Sequence, residues 1–458
     1  MIIRNFYEPK LAQASYLVGC SATGEAIVVD PMREVQPYLA MAKSLGLRIV
    51  AVTETHIHAD YLSGTRQLAA ATGATMYLSD EGGEDWRYAF RNDPGVVLLH
   101  DGDVVRIGNV SLKAIHTPGH TPEHLAFLLV DHPVSAMPHS LFSGDFVFVG
   151  DVGRPDLLER AANIAGTMEQ GARNLFRSLK KLADLPDSLL VWPGHGAGSA
   201  CGKSLGGSPV STLGYERATN WALRISDEDK FVDEILSGQP EPPFYFKEMK
   251  RLNKQGPPLL SADPAERRIG SPVGQLIDVR DSDVIRESSY GAAVVVPYES
   301  SFTGYAGWMC RYDEPMTLIA ECQADADRAA RDLSLIGLDE VAGWVHPSDL
   351  DPNGFAPFQT LEADEIRGDD LVLDVRGINE RNESYIQGSV HIPYGYLANR
   401  VGELPRDRRI VVHCASGGRS PIAYSILRRA GFADVWEIPG GMDSVETGAP
   451  QLIVSGKP

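Results

Sequence analysis

The chain has 458 residues, with 42 Lys and Arg against 61 Asp and Glu and a formal net charge of −19. A single hydrophobic core stops growing at roughly 250 to 300 residues, so two to four domains are expected. The negative charge opposes phosphate backbones and anionic lipid surfaces, which bind clustered Lys and Arg, and so argues against nucleic acid as a partner.

In chain order, Met1 to Gln13 carries Arg4, Glu8 and Lys10 and lacks an apolar leader core. No stretch approaches the roughly 18 uninterrupted apolar residues of a membrane span, and a cytoplasmic protein is expected. Two short apolar runs follow, Ser15 to Cys20 and Ala26 to Asp30, joined by a Gly-containing turn. An amphipathic helix near Val35 to Leu45 and a strand at Arg48 to Val52 come next. Further strands are predicted at Val97 to Leu99, Val110 to His116, Ala126 to Val130, Ser140 to Phe142 and Leu189 to Val191, and helices at Ser211 to Ala222 and Glu228 to Leu236. This alternation predicts a two-layered sheet flanked by helices. Prolines at 240, 242, 243, 257 and 258 place a first domain boundary near residue 260.

Beyond it the sequence repeats itself. Gln275 to Arg280 (Q-L-I-D-V-R) matches Leu371 to Arg376 (L-V-L-D-V-R), and the two stretches end alike at Gly337-Leu338 and Gly431-Phe432. A pitch near 95 residues is too long for a solenoid and fits two copies of one small α/β domain, with the second boundary among Pro347 to Pro357. The five cysteines, Cys20, Cys201, Cys310, Cys322 and Cys414, are odd in number and widely spaced, as reduced thiols would be.

Thr55 to Tyr61 reads T-H-I-H-A-D-Y directly after a predicted strand, so His56, His58 and Asp60 crowd one turn. His120 in T-P-G-H-T, Asp145 in S-G-D and His195 in P-G-H-G each also follow a strand. Side chains at strand ends can converge, and imidazole plus carboxylate is a ligand set for a transition metal. His124 lies four residues after His120 and reads as a packing or supporting histidine. The ordered set of motifs resembles the metallo-β-lactamase superfamily over residues 1 to 260. Within it, glyoxalase II and the persulfide dioxygenases carry H-x-H-x-D-H, whereas Tyr61 stands here at the last position. The loss of that imidazole disfavours a second metal.

The resemblance to persulfide dioxygenases implies one Fe(II) held by His56, His120 and Asp145, with Zn as the alternative and with His58, Asp60 and His195 as neighbours. It also implies that Arg154, in the Gly153-Arg154 step, meets a carboxylate of the thiol carrier, against a surface salt bridge as the plain reading. Cys201 lies six residues after His195 in a Gly-rich loop with Lys203 beside it. It reads either as a sulfur-accepting thiol, made more acidic by Lys203, or as a small packing residue.

Val411 to Ser420 reads V-V-H-C-A-S-G-G-R-S, a strand, a cysteine, a Gly-rich loop and a helix start. Loop N–H groups and a helix N-terminus aimed at Cys414 would stabilise a thiolate or an anionic donor, with Arg419 beside it and Ser416, Gly417 and Gly418 as the cradle. With Asp374-Val375-Arg376, Gly388 to Pro393 and Gly440-Gly441-Met442, the segment resembles a rhodanese. Its loop from Cys414 to Arg419 has six residues, the length that rhodaneses use for sulfur. In the middle copy, a gapless alignment puts Ala320 at the nucleophile position and Asp325 at the arginine position. Cys322 could act as a displaced nucleophile, but a spacer or interface role is the stronger reading.

The expected architecture is a multidomain α/β protein: a metallo-β-lactamase αββα sandwich at 1–260, a degenerate rhodanese-like domain at 261–350 and an active rhodanese domain at 356–458. The resemblance implies a persulfide dioxygenase coupled to sulfur transfer in sulfide detoxification. Its partners would be small-molecule persulfides, O2, and sulfite or thiosulfate, and a homo-oligomer is compatible with the sequence. Rival readings are a glyoxalase II-like zinc thioester hydrolase fused to a rhodanese, and a non-enzymatic sulfur-carrier or persulfide-sensing module.

Overall fold

In the first sheet of the chain, alternate residues serve two different cores. Leu17, Ala26, Val28 and Val52 face Tyr38 and Ala42 of the helix Gln36–Ser44 and Leu68 of the helix Thr65–Thr72. Their neighbours Tyr16, Val18, Ile27, Val29 and Ala51 face a second sheet. Both faces of these strands are covered, which is why they read as continuous apolar runs. The computed structural model describes residues 1–160, 166–260 and 267–458. These divide into two compact units, Met1–Ser261 with Leu335–Gly337, and Ala262–Ser334 with Leu338–Pro458. The predicted boundary at 260/261 abuts residues 261–266, which lie outside the described residues.

The first sheet runs in the order Ile2–Glu8, Gln13–Cys20, Glu25–Val29, Arg48–Thr53, Thr75–Ser79, Val96–Leu99. The second runs Ser211–Thr212, Leu190–Pro193, Ser140–Gly144, Leu125–Asp131, Val110–His116, Val104–Ile107. Leu112, Ala114, Leu125, Phe127, Leu129 and Phe142 of the second sheet complete the core between the sheets. Its outer residues Ala126, Leu128, Leu141 and Val191 pack on the helices Thr167–Lys180 and Glu228–Leu236. The result is the expected αββα sandwich, and full burial of each large apolar side chain contributes about 1.5–3 kcal/mol.

One predicted helix is divided. Residues 211–222 form a short strand, a helix Leu213–Thr219 and a separate turn Trp221–Arg224. At the break, Asn220 has extended backbone, caps Ala222 and donates to the Asp151 carbonyl. Among the described residues no helix is long and apolar enough to cross a membrane.

The second unit contains two four-stranded parallel sheets of the same order. One is Val294–Val295, Gln275–Asp278, Met316–Ile319, Val341–Val345; the other is Val390–His391, Leu371–Asp374, Ile410–His413, Val435–Glu437. The duplication extends to side chains. Asp278 pairs with Arg280 at 2.7 Å and that arginine donates to the Ser288 carbonyl; Asp374 and Arg376 do the same at 2.8 Å, onto Ser384.

Candidate functional site

Three loops of the first unit bring the predicted ligands together. The nearest ligand atoms of His56, His120 and Asp145 lie within 4.8 Å of one another, all buried. His120 Nε2 is 3.4 Å and His56 Nε2 3.9 Å from Asp145 Oδ2. Each imidazole is oriented from behind. His56 Nδ1 lies 3.0 Å from the Thr55 hydroxyl, which donates to Asp30; His120 Nδ1 donates to the Arg154 carbonyl at 2.9 Å. With the proton on Nδ1 in each ring, both Nε2 lone pairs point inward, the arrangement of metal-ligating histidines. His56 Nε2 and both Asp145 carboxylate oxygens have no hydrogen-bond partner among the described residues. Leaving buried polar atoms unpaired is costly, so this donor set fits a metal ion.

Burial and the surrounding imidazoles hold His56 well below the ordinary histidine range, and burial lowers His120. Burial would raise Asp145, but His195 and His120 beside it hold its carboxyl below the usual range. All three are therefore in ligand-competent form at neutral pH. His124 is the supporting histidine expected. Its Nε2 accepts from the Asp145 backbone N–H at 3.1 Å, and its Nδ1 meets Thr117 at 2.8 Å.

His58 does not join the cluster. It gives Nε2–H to Asp30 Oδ1 at 3.2 Å; against the effect of burial, this contact lifts its pKa to about 9. Asp30 was not singled out in the sequence, yet it also accepts the Thr55 N–H and hydroxyl and has φ of +51°. Asn253 was missed as well: from the helix Phe246–Gln255 it donates to the carbonyls of His58 and Tyr61. Their signals, an Asp-Pro step after an apolar run and a lone Asn in a helix, are weak ones. Tyr61 is buried, its ring 4.4 Å from that of His58.

Asp60, His195 and Cys201 form a second buried group with ligand atoms within 4.8 Å of one another. His195 Nε2 lies 3.2 Å from Asp60 and 3.5 Å from Asp145, its Nδ1 donating to Ala12. Both Asp60 oxygens are unpartnered among the described residues. Lys203 does not acidify Cys201 as expected: it pairs with Glu234 at 2.8 Å, while burial and the Asp60 and Asp145 carboxylates push the thiol well up. Nor does Arg154 make a surface ion pair. It is fully buried, bidentate to Asp156 at 2.8 Å, and donates to Ala200. Gly153 has to be glycine, because a Cβ there would lie 1.9 Å from the Asp145 carbonyl oxygen; this close approach sets the Arg154 carbonyl against His120.

In the second unit, Cys414 follows the strand Ile410–His413 and precedes the helix Ser420–Arg429. The Gly417 N–H donates to its sulfur at 3.1 Å, and the Ser420 hydroxyl lies 3.5 Å away. Gly417 has φ of +100° and Ser416 is exposed. Arg419 is held by Glu380 at 2.6 and 2.7 Å. In the other copy Asp278 is paired with Ile319 as Asp374 is with His413, so Ala320 takes the place of Cys414. The helix there begins at Gln323, leaving a loop of only 320–322, and Asp325 belongs to the helical first turn rather than to an arginine-like loop position. Cys322 is exposed and meets Asp325 at 3.2 Å.

Residues 9–195 match the metallo-β-lactamase superfamily and residues 359–447 the rhodanese-like domain. A mitochondrial persulfide dioxygenase of Bos taurus is 30% identical over 249 residues, 53% of this chain and 84% of that protein. The chain belongs to the metallo-β-lactamase superfamily. A hydroxyacylglutathione hydrolase of Rhodospirillum rubrum is 35% identical over 185 residues, 39% of this chain and 60% of that one. A solved metallo-β-lactamase of Staphylococcus aureus is 40% identical, with a TM-score of 0.69, covering 76% of this chain and 99% of its own.

The first unit has a cleft of 710 Å³ whose lining includes Gly119 and Pro122, on either side of His120 in the chain, with Asn174, Lys247, Lys250 and Arg251. Lys250 Nζ sits 3.7 Å over the Trp86 ring. Lys254 adds a further cation to this lining and Asp85 a carboxylate.

Proposed function

We propose that the chain is a persulfide dioxygenase fused to a rhodanese sulfurtransferase, acting in sulfide detoxification in the cytoplasm. The observation that carries the first half is the compact cluster of two imidazoles and one carboxylate, with Tyr61 where a further ligand histidine would stand. His56, His120 and Asp145 would hold Fe(II), which would supply redox chemistry with O2 that zinc lacks. The overall conversion takes a persulfide, O2 and water to thiol, sulfite and protons. Thr55, Arg154 and His124 hold the ligands in register. Lys247, Lys250 and Arg251 bind the anionic part of a low-molecular-weight thiol carrier, which positions its sulfur beside His120.

In the rhodanese domain, 356–458, the Cys414 thiolate attacks the outer sulfur of an anionic donor; the donor's S–S bond breaks, leaving a cysteine persulfide. Sulfite then attacks that outer sulfur, releasing thiosulfate and the Cys414 thiolate. The N–H of Gly417 supports negative charge on sulfur. In the degenerate copy, 261–350, the described residues form no such cradle, the helix beginning already at Gln323.

A second reading is favoured by one observation. Asp60, His195 and Cys201 group three buried ligand atoms that would hold a further ion, which would give a dinuclear thioester hydrolase; without that ion, Cys201 is the candidate for a sulfur-accepting thiol, a role that its burial beside Asp60 and Asp145 opposes. Metal content after anaerobic purification, together with O2 uptake on persulfides, tests the choice.

A further inference from the structure

The carboxylate of Glu437 is fully buried at the end of the strand Val435–Glu437 and accepts the Ser420 hydroxyl at 2.6 Å. Ser420 in turn contacts the sulfur of Cys414. A buried carboxylate this close opposes a thiolate unless a cation offsets it. That cation comes from the degenerate copy. Arg286, on the helix Ser282–Glu287, donates Nε and Nη2 to Glu437 at 3.0 Å each, and Nη2 also reaches the Gly417 carbonyl at 2.5 Å. One side chain thus fixes the carbonyl of the residue whose N–H serves the sulfur and neutralises the carboxylate behind it. The same copy covers the loop at Gly418, where a Cβ would lie 2.8 Å from both the Tyr305 hydroxyl and Glu299.

We propose that the sulfur-transfer site is a composite of both rhodanese-like copies, with Arg286 of the degenerate copy as a positioning residue for the Cys414 loop. The inference rests on the sulfurtransferase reading above. It gives a use to a copy in which Ala320 stands at the position of Cys414, and explains why the arginine of the active loop, Arg419, can be spent on Glu380. The charged and titratable groups around the loop are Arg419 with Glu380, Arg286 with Glu437 and Asp283, Glu299 with Ser282, Tyr305, and His413.

The test uses the full chain and reads two quantities: thiosulfate-to-cyanide sulfur transfer, and the pH profile of Cys414 alkylation followed by mass spectrometry. Arg286→Ala should slow both transfer and alkylation at neutral pH about tenfold, because the Glu437 carboxylate behind the sulfur is then uncompensated. Adding Glu437→Gln to Arg286→Ala removes the uncompensated carboxylate and should return the alkylation profile toward that of the parent, which simple loss of packing would not do. An unchanged profile in Arg286→Ala, or a profile that the second substitution fails to restore, overturns the proposal. If the parent chain transfers no sulfur, the sulfurtransferase reading fails, while the alkylation profiles still decide the role of Arg286.

Discussion

His120 Nε2 and Asp145 Oδ2 face each other across 3.4 Å, and neither Asp145 oxygen has a hydrogen-bond partner among the described residues. The two side chains come from different strand ends and are fixed from behind, His120 by the Arg154 carbonyl and the Asp145 backbone by His124. Replacing His56, His120 or Asp145 by Ala should abolish bound metal and O2 uptake while sulfur transfer at Cys414 survives. Metal analysis and both assays on each variant check this. Full metal retention in the Asp145 variant would remove that residue from the ligand set.

His124→Ala should act at one remove. Supporting residues of this kind cost roughly 10–100-fold in metal affinity when lost. Competition with a chelator measures the change, and an affinity within twofold of the parent would contradict the role given to the contact with the Asp145 N–H.

Cys414→Ser should lose thiosulfate-to-cyanide transfer but still oxygenate a diffusible persulfide, with sulfite accumulating in place of thiosulfate. Product chromatography distinguishes the two. Transfer at the parent rate would redirect attention to Cys322 or Cys201.

The cleft carries its own pH signature. Burial lowers the pKa of Lys250 to about 8, Glu123 partly opposing it. The lysine is charged below that value and loses its proton above it, so attraction for an anionic carrier falls as pH rises through about 8. The KM for an anionic persulfide should increase from pH 7 to 9 in the parent and change much less in Lys250→Gln, whose KM is already high at pH 7. Parallel KM profiles in the two proteins would remove Lys250 from the binding site.

Much of this was legible in the sequence because each ligand follows an apolar strand, as His120 follows Val110–His116, and because D-V-R recurs with its own ion pair. What escaped depends on partners far apart in the chain. Asn253 reaches His58 across 195 residues, Lys203 finds Glu234 rather than Cys201, and Arg154 turns inward to the Ala200 carbonyl. A local reading assigns a charge to its nearest neighbour in sequence; the fold reassigns it to whichever buried group needs compensation, as Arg286 does for Glu437. The helix expected over 211–222 failed for a local reason: Asn220 prefers to cap a new turn rather than continue the old one.

The most direct test of the central claim is O2 consumption by the full chain, purified without oxygen and supplied with a low-molecular-weight persulfide, with metal content measured on the same sample. The account predicts persulfide-dependent O2 uptake with sulfite or thiosulfate formed and iron bound at His56, His120 and Asp145. Two zinc ions per chain, thioester hydrolysis and no O2 uptake would contradict it.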